Sequence, residues 1–311
     1  MELSVVVPCY NEDESVEELH RRVTAACKDS GVKTYEIVLV NDGSSDGTLA
    51  KMKAMVEADP HLVIVDLSRN HGHQLALTAG LAHAQGDHIL IMDADLQDPP
   101  ELLPDMLARA HDGIDVVYGE RVKREGETWF KLIMAKLFYK TLSYMSDVEI
   151  PENVGDFRLI SRRVLDELLA MPERQRFIRG MIAWVGFKQE AFPYERKARF
   201  AGTTKYPFWK LVHFAFDAIS SFSIRPLRIA IPFAFSAAAL AAGLGIYAIL
   251  AYFLGGTASG WASLATIITF FSALQLICIG LIGEYIGRTY IQVKGRPLFI
   301  VRKVFRGSEA G

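Results

Sequence analysis

The sequence predicts an α/β fold, a mostly parallel sheet with helices on both faces, joined to a C-terminal two-helix transmembrane hairpin. Three observations predict it. Strand-like and helix-like stretches alternate from the first residues to about residue 120, the pattern of βαβ units. The strand-like stretches are unbroken Val/Ile/Leu runs, as expected of strands covered on both faces. Two long runs without a charge follow near the C-terminus.

Leu3–Pro8 is the first strand. Ser15-x-x-Glu18 reads as a capping box opening a helix to about Asp29. Tyr35–Val40 is the second strand, and Ser45 or Asp46 caps a helix through about Ala58. Leu62–Leu67, a helix from Gly72 to Gln85, His88–Met92 and Asp115–Gly119 continue the alternation. In Asp98-Pro99-Pro100-Glu101 the order Asp, Pro, Pro, acid predicts that Asp98 is a helix N-cap.

Ile229–Leu254 is 26 residues without a charge, roughly 39 Å as a helix and enough to span a bilayer with tilt. Trp261–Gly283 is a second run of 23 residues, and the turn-forming stretch Gly255–Gly260 separates the two. The alternative, a buried hairpin, would leave a large apolar surface to cover.

The net charge of −2 hides a partition: residues 1–195 carry 21 basic and 33 acidic side chains, residues 196–228 seven basic and one acidic, residues 285–311 six basic and one acidic. Arg225 and Arg228 precede the first span and Arg288, Lys294 and Arg296 follow the second. By the positive-inside rule both termini and the acidic body face the cytoplasm, and the N-terminus lacks the basic region of a signal peptide. The expected organisation is a catalytic domain over 1–200, a basic loop and interfacial amphipathic segment over 201–228 with the aromatic-rich Pro207–Phe222, spans at 229–254 and 261–283, and a basic cytoplasmic tail over 284–311. Cys9, Cys27 and Cys278 are three, widely spaced and without a CxxC pair, and read as reduced packing residues.

Ligands of such sheets gather at the carboxyl ends of the strands, where Pro8-Cys9-Tyr10-Asn11-Glu12, Asn41-Asp42-Gly43 and Asp93-Ala94-Asp95 fall. Two carboxylates so close repel unless a cation lies between them, and hard oxygen ligands suit Mg²⁺ or Mn²⁺. An ordinary acidic turn is the alternative for a DxD alone. Asp42 could accept hydrogen bonds from a base or ribose, or close a turn. His71-Gly72-His73 has no nearby Cys or third His, against zinc. Neither a GxGxxG nor a GxxxxGK[ST] loop nor a GxSxG elbow occurs, so dinucleotide redox chemistry, ATP hydrolysis and acyl transfer are weakly supported.

Taken together, Val5–Glu12, Val38–Thr48 and Met92–Glu101 closely resemble family 2 glycosyltransferases of the GT-A type. The likeness is closest to the branch acting on polyprenyl phosphates, dolichyl-phosphate mannose synthases and bacterial bactoprenol glucosyltransferases. The apolar hairpin and Gly283-Glu284-Tyr285-Ile286-Gly287-Arg288 also look like the bacterial members, so the likeness covers nearly the whole chain. It implies a GT-A (Rossmann-like) fold, with Pro8, Tyr10, Glu12, Asp42 and Asp93 on the nucleotide and Asp93, Asp95 and Gln97 on the metal and diphosphate. It implies Arg121 on the acceptor phosphate, with Arg199 and Lys205 in a mobile basic loop. Arg158 of Asp156-Phe157-Arg158 and Arg176 and Arg179 of Arg176–Gly180 join the acceptor-phosphate group.

The implied reaction is inverting transfer of one sugar, with UDP-glucose expected as donor ahead of GDP-mannose, to a membrane polyprenyl phosphate at a bacterial inner membrane. Asp93, Asp95, Arg121, Arg199 and Lys205 are the expected catalytic residues. The lipid phosphate is already ionised near neutrality, with a second pKa of about 6, so no strong base is needed. Some bacterial relatives imply a homotetramer; no nucleic-acid partner is expected. A processive polysaccharide synthase is the rival enzyme, against which Gln175–Arg179 lacks the QxxRW tryptophan and two spans are too few for a channel. A non-catalytic lipid-binding scaffold is the other rival.

Overall fold

The computed structural model describes residues 1–122, 154–195, 225–254 and 260–307. Residues 201–224 of the segment expected at 201–228 lie outside them, as do Arg199 and Lys205. The chain folds as two compact units, one built on a sheet and one on two long helices.

In the first unit the elements run β1 (Leu3–Cys9), α1 (Val16–Asp29), β2 (Tyr35–Asn41), α2 (Thr48–Ala58), β3 (Leu62–Leu67), α3 (His73–His83), β4 (His88–Ile91), a 3-10 turn (Pro100–Leu102) and α4 (Leu103–His111). They continue with β5 (Val116–Arg121), β6 (Val154–Ser161), α5 (Arg162–Ala170), α6 (Ile178–Val185), β7 (Gln189–Tyr194) and finally β8 (Val301–Arg306). The sheet order is β7-β5-β6-β4-β1-β2-β3-β8. Strands β1 to β4 are parallel to one another, as the alternation predicts, whereas β6 runs antiparallel to β4 and β5, and β8 antiparallel to β3. Every residue of β1, β2 and β3 is buried, which accounts for their unbroken apolar runs.

The chain winds from β1 through β2 to β3, then crosses back to place β4 on the other side of β1. This reversal opens a crevice at the carboxyl ends of β1 and β4, where such sheets bind ligands. Pro8 sits there at no cost to the ladder. Val6 accepts the last hydrogen bond from the β4 side, from Met92 N–H, so the N–H that proline lacks at position 8 would face the open crevice.

Three expectations are corrected. Ser15 stands at the N-cap of α1, but its hydroxyl donates to the Glu12 carboxylate at 2.6 Å and makes no cap bond, while Glu18 pairs with Arg21. Ser15 itself has a helical backbone (φ −109°, ψ −25°) and not the extended one of a capping residue, and no capping box forms. Asp98 is no N-cap either: the residue before the 3-10 turn is Pro99, without a side-chain cap. Residues 284–311 are not a free tail, since 284–293 extend a helix of the second unit and 301–306 are β8.

The second unit comprises α7 (Arg225–Phe253) and α8 (Trp261–Val293). Thr266–Val293 is long and apolar enough to cross a membrane, the one such helix among the described residues, and Phe235–Tyr247 is a shorter apolar stretch. Phe235, Tyr247, Leu254, Ile277 and Val293 are each more than two-thirds exposed, a surface that water does not favour.

Candidate active site

Three groups of side chains meet the carboxyl edge of the sheet. The first lies on the β1 and β2 exits. Asn11 adopts a left-handed backbone (φ 55°), a conformation asparagine tolerates. Its amide N–H donates to Ser44 Oγ (3.1 Å), and its side-chain oxygen accepts from Ser45 N–H (2.9 Å). This places Tyr10, half exposed, and Glu12 on either side of a fixed turn. Asp42 is buried and receives His71 N–H at 2.7 Å and Gly72 N–H at 3.0 Å, one on each oxygen. Of the two readings open for Asp42, its observed contacts are those of a loop-holding carboxylate. Asp46 closes its own turn, accepting from both Thr48 N–H and Thr48 Oγ–H.

The second group is an acidic hub at the exit of β4. Asp93 Oδ1 stands 3.5 Å from His73 Nε2, which also meets Asp156 Oδ2 at 3.1 Å. Arg179 Nη2 donates to the other Asp156 oxygen at 3.2 Å, and Gln74 Nε2 donates to Asp156 at 3.3 Å. Gln74 also accepts Ile178 N–H, tying the start of α6 to the start of α3. Burial disfavours charge on Asp156, yet the His73 hydrogen bond and the positive Arg179 hold its carboxyl well below the usual carboxylate range. Burial alone would depress the His73 pKa; Asp156 and Asp93 raise it instead. The Asp93 carboxyl is pushed up to about 6, chiefly by burial and further by its acidic neighbours, against the pull of His73.

Asp93 Oδ1 is buried without a hydrogen-bond partner. One ligand atom from each of His73, Asp93 and Asp156 falls within 4.8 Å of the others. An orphaned carboxylate oxygen facing a second carboxylate and an imidazole fits a divalent cation. Asp95 and Gln97 lie on the next turn, where Asp95 Oδ1 accepts Gln97 N–H at 3.1 Å and Leu96 has φ 57°. They are not among the three residues of that cluster.

The third group surrounds Arg121 at the end of β5. Its Nε donates to Tyr194 Oη at 3.2 Å, and its Nη2 stands 3.6 Å from Asp98. Tyr194 donates to Asp98, which has no exposed surface. Gly155 leaves the room that the guanidinium occupies: a Cβ there would overlap Arg121 Nη2.

Two expected phosphate ligands are turned elsewhere. Arg176 is buried, and its Nη atoms donate to the carbonyls of Met171 (2.8 Å) and Leu168 (2.7 Å) at the end of α5. Arg158 is buried and donates to Gly155 O at 2.7 Å, fixing the start of β6; burial lowers its pKa to about 10. Both are structural donors to backbone, so of the three arginines expected beside Arg121 only Arg179 reaches the site. Sequence reasoning set His73 aside with zinc and gave Asp156 no definite role. The readable signal for Asp156 was an acid next but one to a basic residue, Arg158, in a strand that also carries Val154, Phe157, Leu159 and Ile160.

Residues 4–169 match the profile of glycosyl transferase family 2, and residues 225–289 match that of the GtrB C-terminal hairpin. The chain belongs to glycosyl transferase family 2. This family 2 chain is 44% identical over 310 residues to the uncharacterized glycosyltransferase YkcC of Bacillus subtilis (strain 168), covering 98% of this chain and 94% of that one. It is 39% identical over 311 residues to the SfII prophage-derived bactoprenol glucosyl transferase of Shigella flexneri, covering 99% and 100%. Among solved structures it resembles glucosyl-3-phosphoglycerate synthase from Mycobacterium tuberculosis in complex with Mn²⁺, UDP-glucose and phosphoglyceric acid. There the TM-score is 0.49 at 18% identity, over 71% of this chain and 78% of that one. The resemblance to the family drawn from the motifs is therefore correct, and the chain is a glycosyltransferase with the expected GT-A-like sheet.

Proposed function

We propose that the chain transfers one glucose from UDP-glucose to a membrane polyprenyl phosphate, with inversion, using Mg²⁺ or Mn²⁺. The observation that carries this reading is the acidic hub, with its unpartnered Asp93 oxygen, beside the crevice between β1 and β4. The bactoprenol glucosyl transferase matched along its full length supports glucose and a polyprenyl acceptor.

Asp93, Asp156 and His73 would hold the cation, with Asp95 and Gln97 on the adjoining turn. A divalent ion bound there would neutralise charge on the departing diphosphate. Tyr10, Glu12 and Pro8 line the nucleotide end, with Asp42 acting through the loop it holds. Arg121 and Arg179 are the cations at hand to draw the acceptor phosphate alongside the diphosphate, joined by Arg199 and Lys205 of the basic loop. A phosphate oxygen attacks the anomeric carbon as the bond from that carbon to the diphosphate breaks, so configuration inverts and UDP leaves. The acceptor is largely ionised near neutrality, and no residue need remove a proton.

Connectivity supports a reading of the membrane topology. The chain leaves the sheet unit before α7 and returns to it as β8, which agrees with an even number of crossings. Two crossings, by α7 and α8, agree with the positive residues flanking the pair, and put the sheet unit in the cytoplasm.

The test is incubation of the purified chain with Mg²⁺ or Mn²⁺, polyprenyl phosphate and a panel of nucleotide sugars including GDP-mannose, followed by mass and anomeric analysis of the lipid. A single hexose of inverted configuration from UDP-glucose is expected. A polymer would indicate a processive synthase, and no turnover of any sugar would indicate a scaffold.

A further inference from the structure

β8 departs from regular pairing at one residue. Its register with β3 steps from Asp66↔Lys303 to Leu67↔Val301, leaving Arg302 as the extra residue of a bulge. Bulges re-aim a side chain, and Arg302 turns toward the carboxyl edge of the sheet. Its Nη2 donates to Ser68 O at 2.7 Å, and its Nη1 stands 3.4 Å from Asp66 Oδ2. Ser68 N–H donates to Ile300 O at 2.9 Å, so both backbone polar groups of Ser68 are held by β8 and the residue before it.

Two polar rows start from this bulge. Asp66, only 2% exposed, accepts Asn41 Nδ2–H at 2.7 Å. Asn41 Oδ1 accepts Ser44 N–H at 3.1 Å, and Ser44 Oγ accepts Asn11 N–H at 3.1 Å. This row crosses from β8 to β1 and ends between Tyr10 and Glu12. The other runs along the chain from Ser68 to His71 and Gly72, whose amides Asp42 receives, and into His73.

The rest of β8 is fixed independently. The Phe305 ring lies 4.9 Å from the ammonium groups of both Lys53 and Lys303. Gly307 N–H donates to Leu62 O at 3.1 Å, in a place where a Cβ would stand 2.5 Å from Pro60 Cα. Arg302 is therefore not what keeps the strand in the sheet. Its side chain is 58% exposed, and so open an ion pair adds little to global stability. Its consequence falls on the loops it reaches.

We propose that Arg302 is a positioning residue for the nucleotide sugar, holding the loops after β1, β2 and β3 in their receiving geometry through Asp66 and Ser68. The inference rests on the reading that this crevice takes a nucleotide sugar. It makes the strand that follows the helical hairpin a working part of the donor pocket. Removing the guanidinium leaves buried Asp66 with the Asn41 bond and frees the Ser68 carbonyl.

The test compares full-length wild type, R302A, R302Q and R302K in detergent micelles, by calorimetric titration with UDP-glucose and by steady-state transfer to polyprenyl phosphate. R302A and R302Q are expected to weaken UDP-glucose binding and raise its KM about tenfold, the scale of one charge-assisted hydrogen bond. kcat and the KM for polyprenyl phosphate should stay near wild type, and R302K should recover part of the donor affinity. R302Q keeps the aliphatic stem and decides the matter should R302A fold poorly. Unchanged donor affinity in folded R302Q, beside a wild type that binds UDP-glucose, overturns the role of Arg302 alone. A lowered unfolding temperature with intact donor affinity overturns it too. A wild type that binds no nucleotide sugar overturns the reading of the crevice, and this inference with it.

Discussion

The Tyr194 phenol donates a hydrogen bond to the carboxylate of Asp98, 96 residues earlier in the chain and wholly buried. Arg121 completes the arrangement by donating to the same phenol oxygen. Burial and the negative Asp98 push the Tyr194 pKa up, so the phenol stays a donor throughout the working pH range. Tyr194→Phe removes a donor from a carboxylate that cannot turn to water. It should lower stability by about 2 kcal/mol in a denaturant titration, and lower kcat because Arg121 loses the contact that orients it. A variant with wild-type kcat would show that Arg121 is placed without this pair.

Gly155→Ala separates the position of Arg121 from its charge. The added methyl would overlap Nη2 of Arg121, and the far end of a flexible side chain can move aside. The expected outcome is near-wild-type thermal unfolding with a rise of about tenfold or more in KM for polyprenyl phosphate, the scale of one lost charge-assisted contact. Arg121→Ala should add little to the loss already caused by G155A, since both remove the same contact.

How much of this was legible depends on how far each feature reaches. The apolar runs of β1, β2 and β3 and the exits bearing Tyr10, Asp42 and Asp93 depend on nearby residues, and their positions agree with expectation. Asp98 misled because Asp-Pro-Pro-Glu is a local capping signature, whereas the carboxylate is captured from β7. The acidic hub joins His73 on α3 to Asp156 on β6, a meeting that requires β6 to run antiparallel beside β4. β8 was hidden for a related reason: Val301–Arg306 has three basic residues in six, which reads as a tail until β3 supplies its partner.

Arg176 tests the same distinction between charge in sequence and charge in place. Its guanidinium holds the carbonyls of Leu168, in the last turn of α5, and Met171, just past its end. Arg176→Met should reduce stability by about 2 kcal/mol, by leaving those carbonyls unpaired in a buried site, with KM for polyprenyl phosphate little changed. Arg179→Met should differ in raising the KM for polyprenyl phosphate, beside the stability it loses by leaving buried Asp156 without its guanidinium partner. A large acceptor KM effect from R176M in a normally stable protein would return Arg176 to the phosphate site.

Asp93 sets a pH dependence whose sign can be worked out. Burial pushes its carboxyl up to about 6 in the folded chain from the ordinary aspartate value of 3.8, so the folded state binds this proton more tightly than the unfolded one. Stability from this group is therefore greatest below about pH 4 and is lost as pH rises toward 6, beyond which the ionised side chain is a standing penalty. A divalent cation requires that ionised form and would relieve the penalty. Added Mn²⁺ should accordingly raise the unfolding temperature more at about pH 7.5 than at about pH 5, because the proton competes for Asp93 in acid. Asp93→Asn should remove most of the difference while leaving the sheet intact by circular dichroism. Equal Mn²⁺ shifts at both pH values in the wild type would mean that the ion binds away from Asp93.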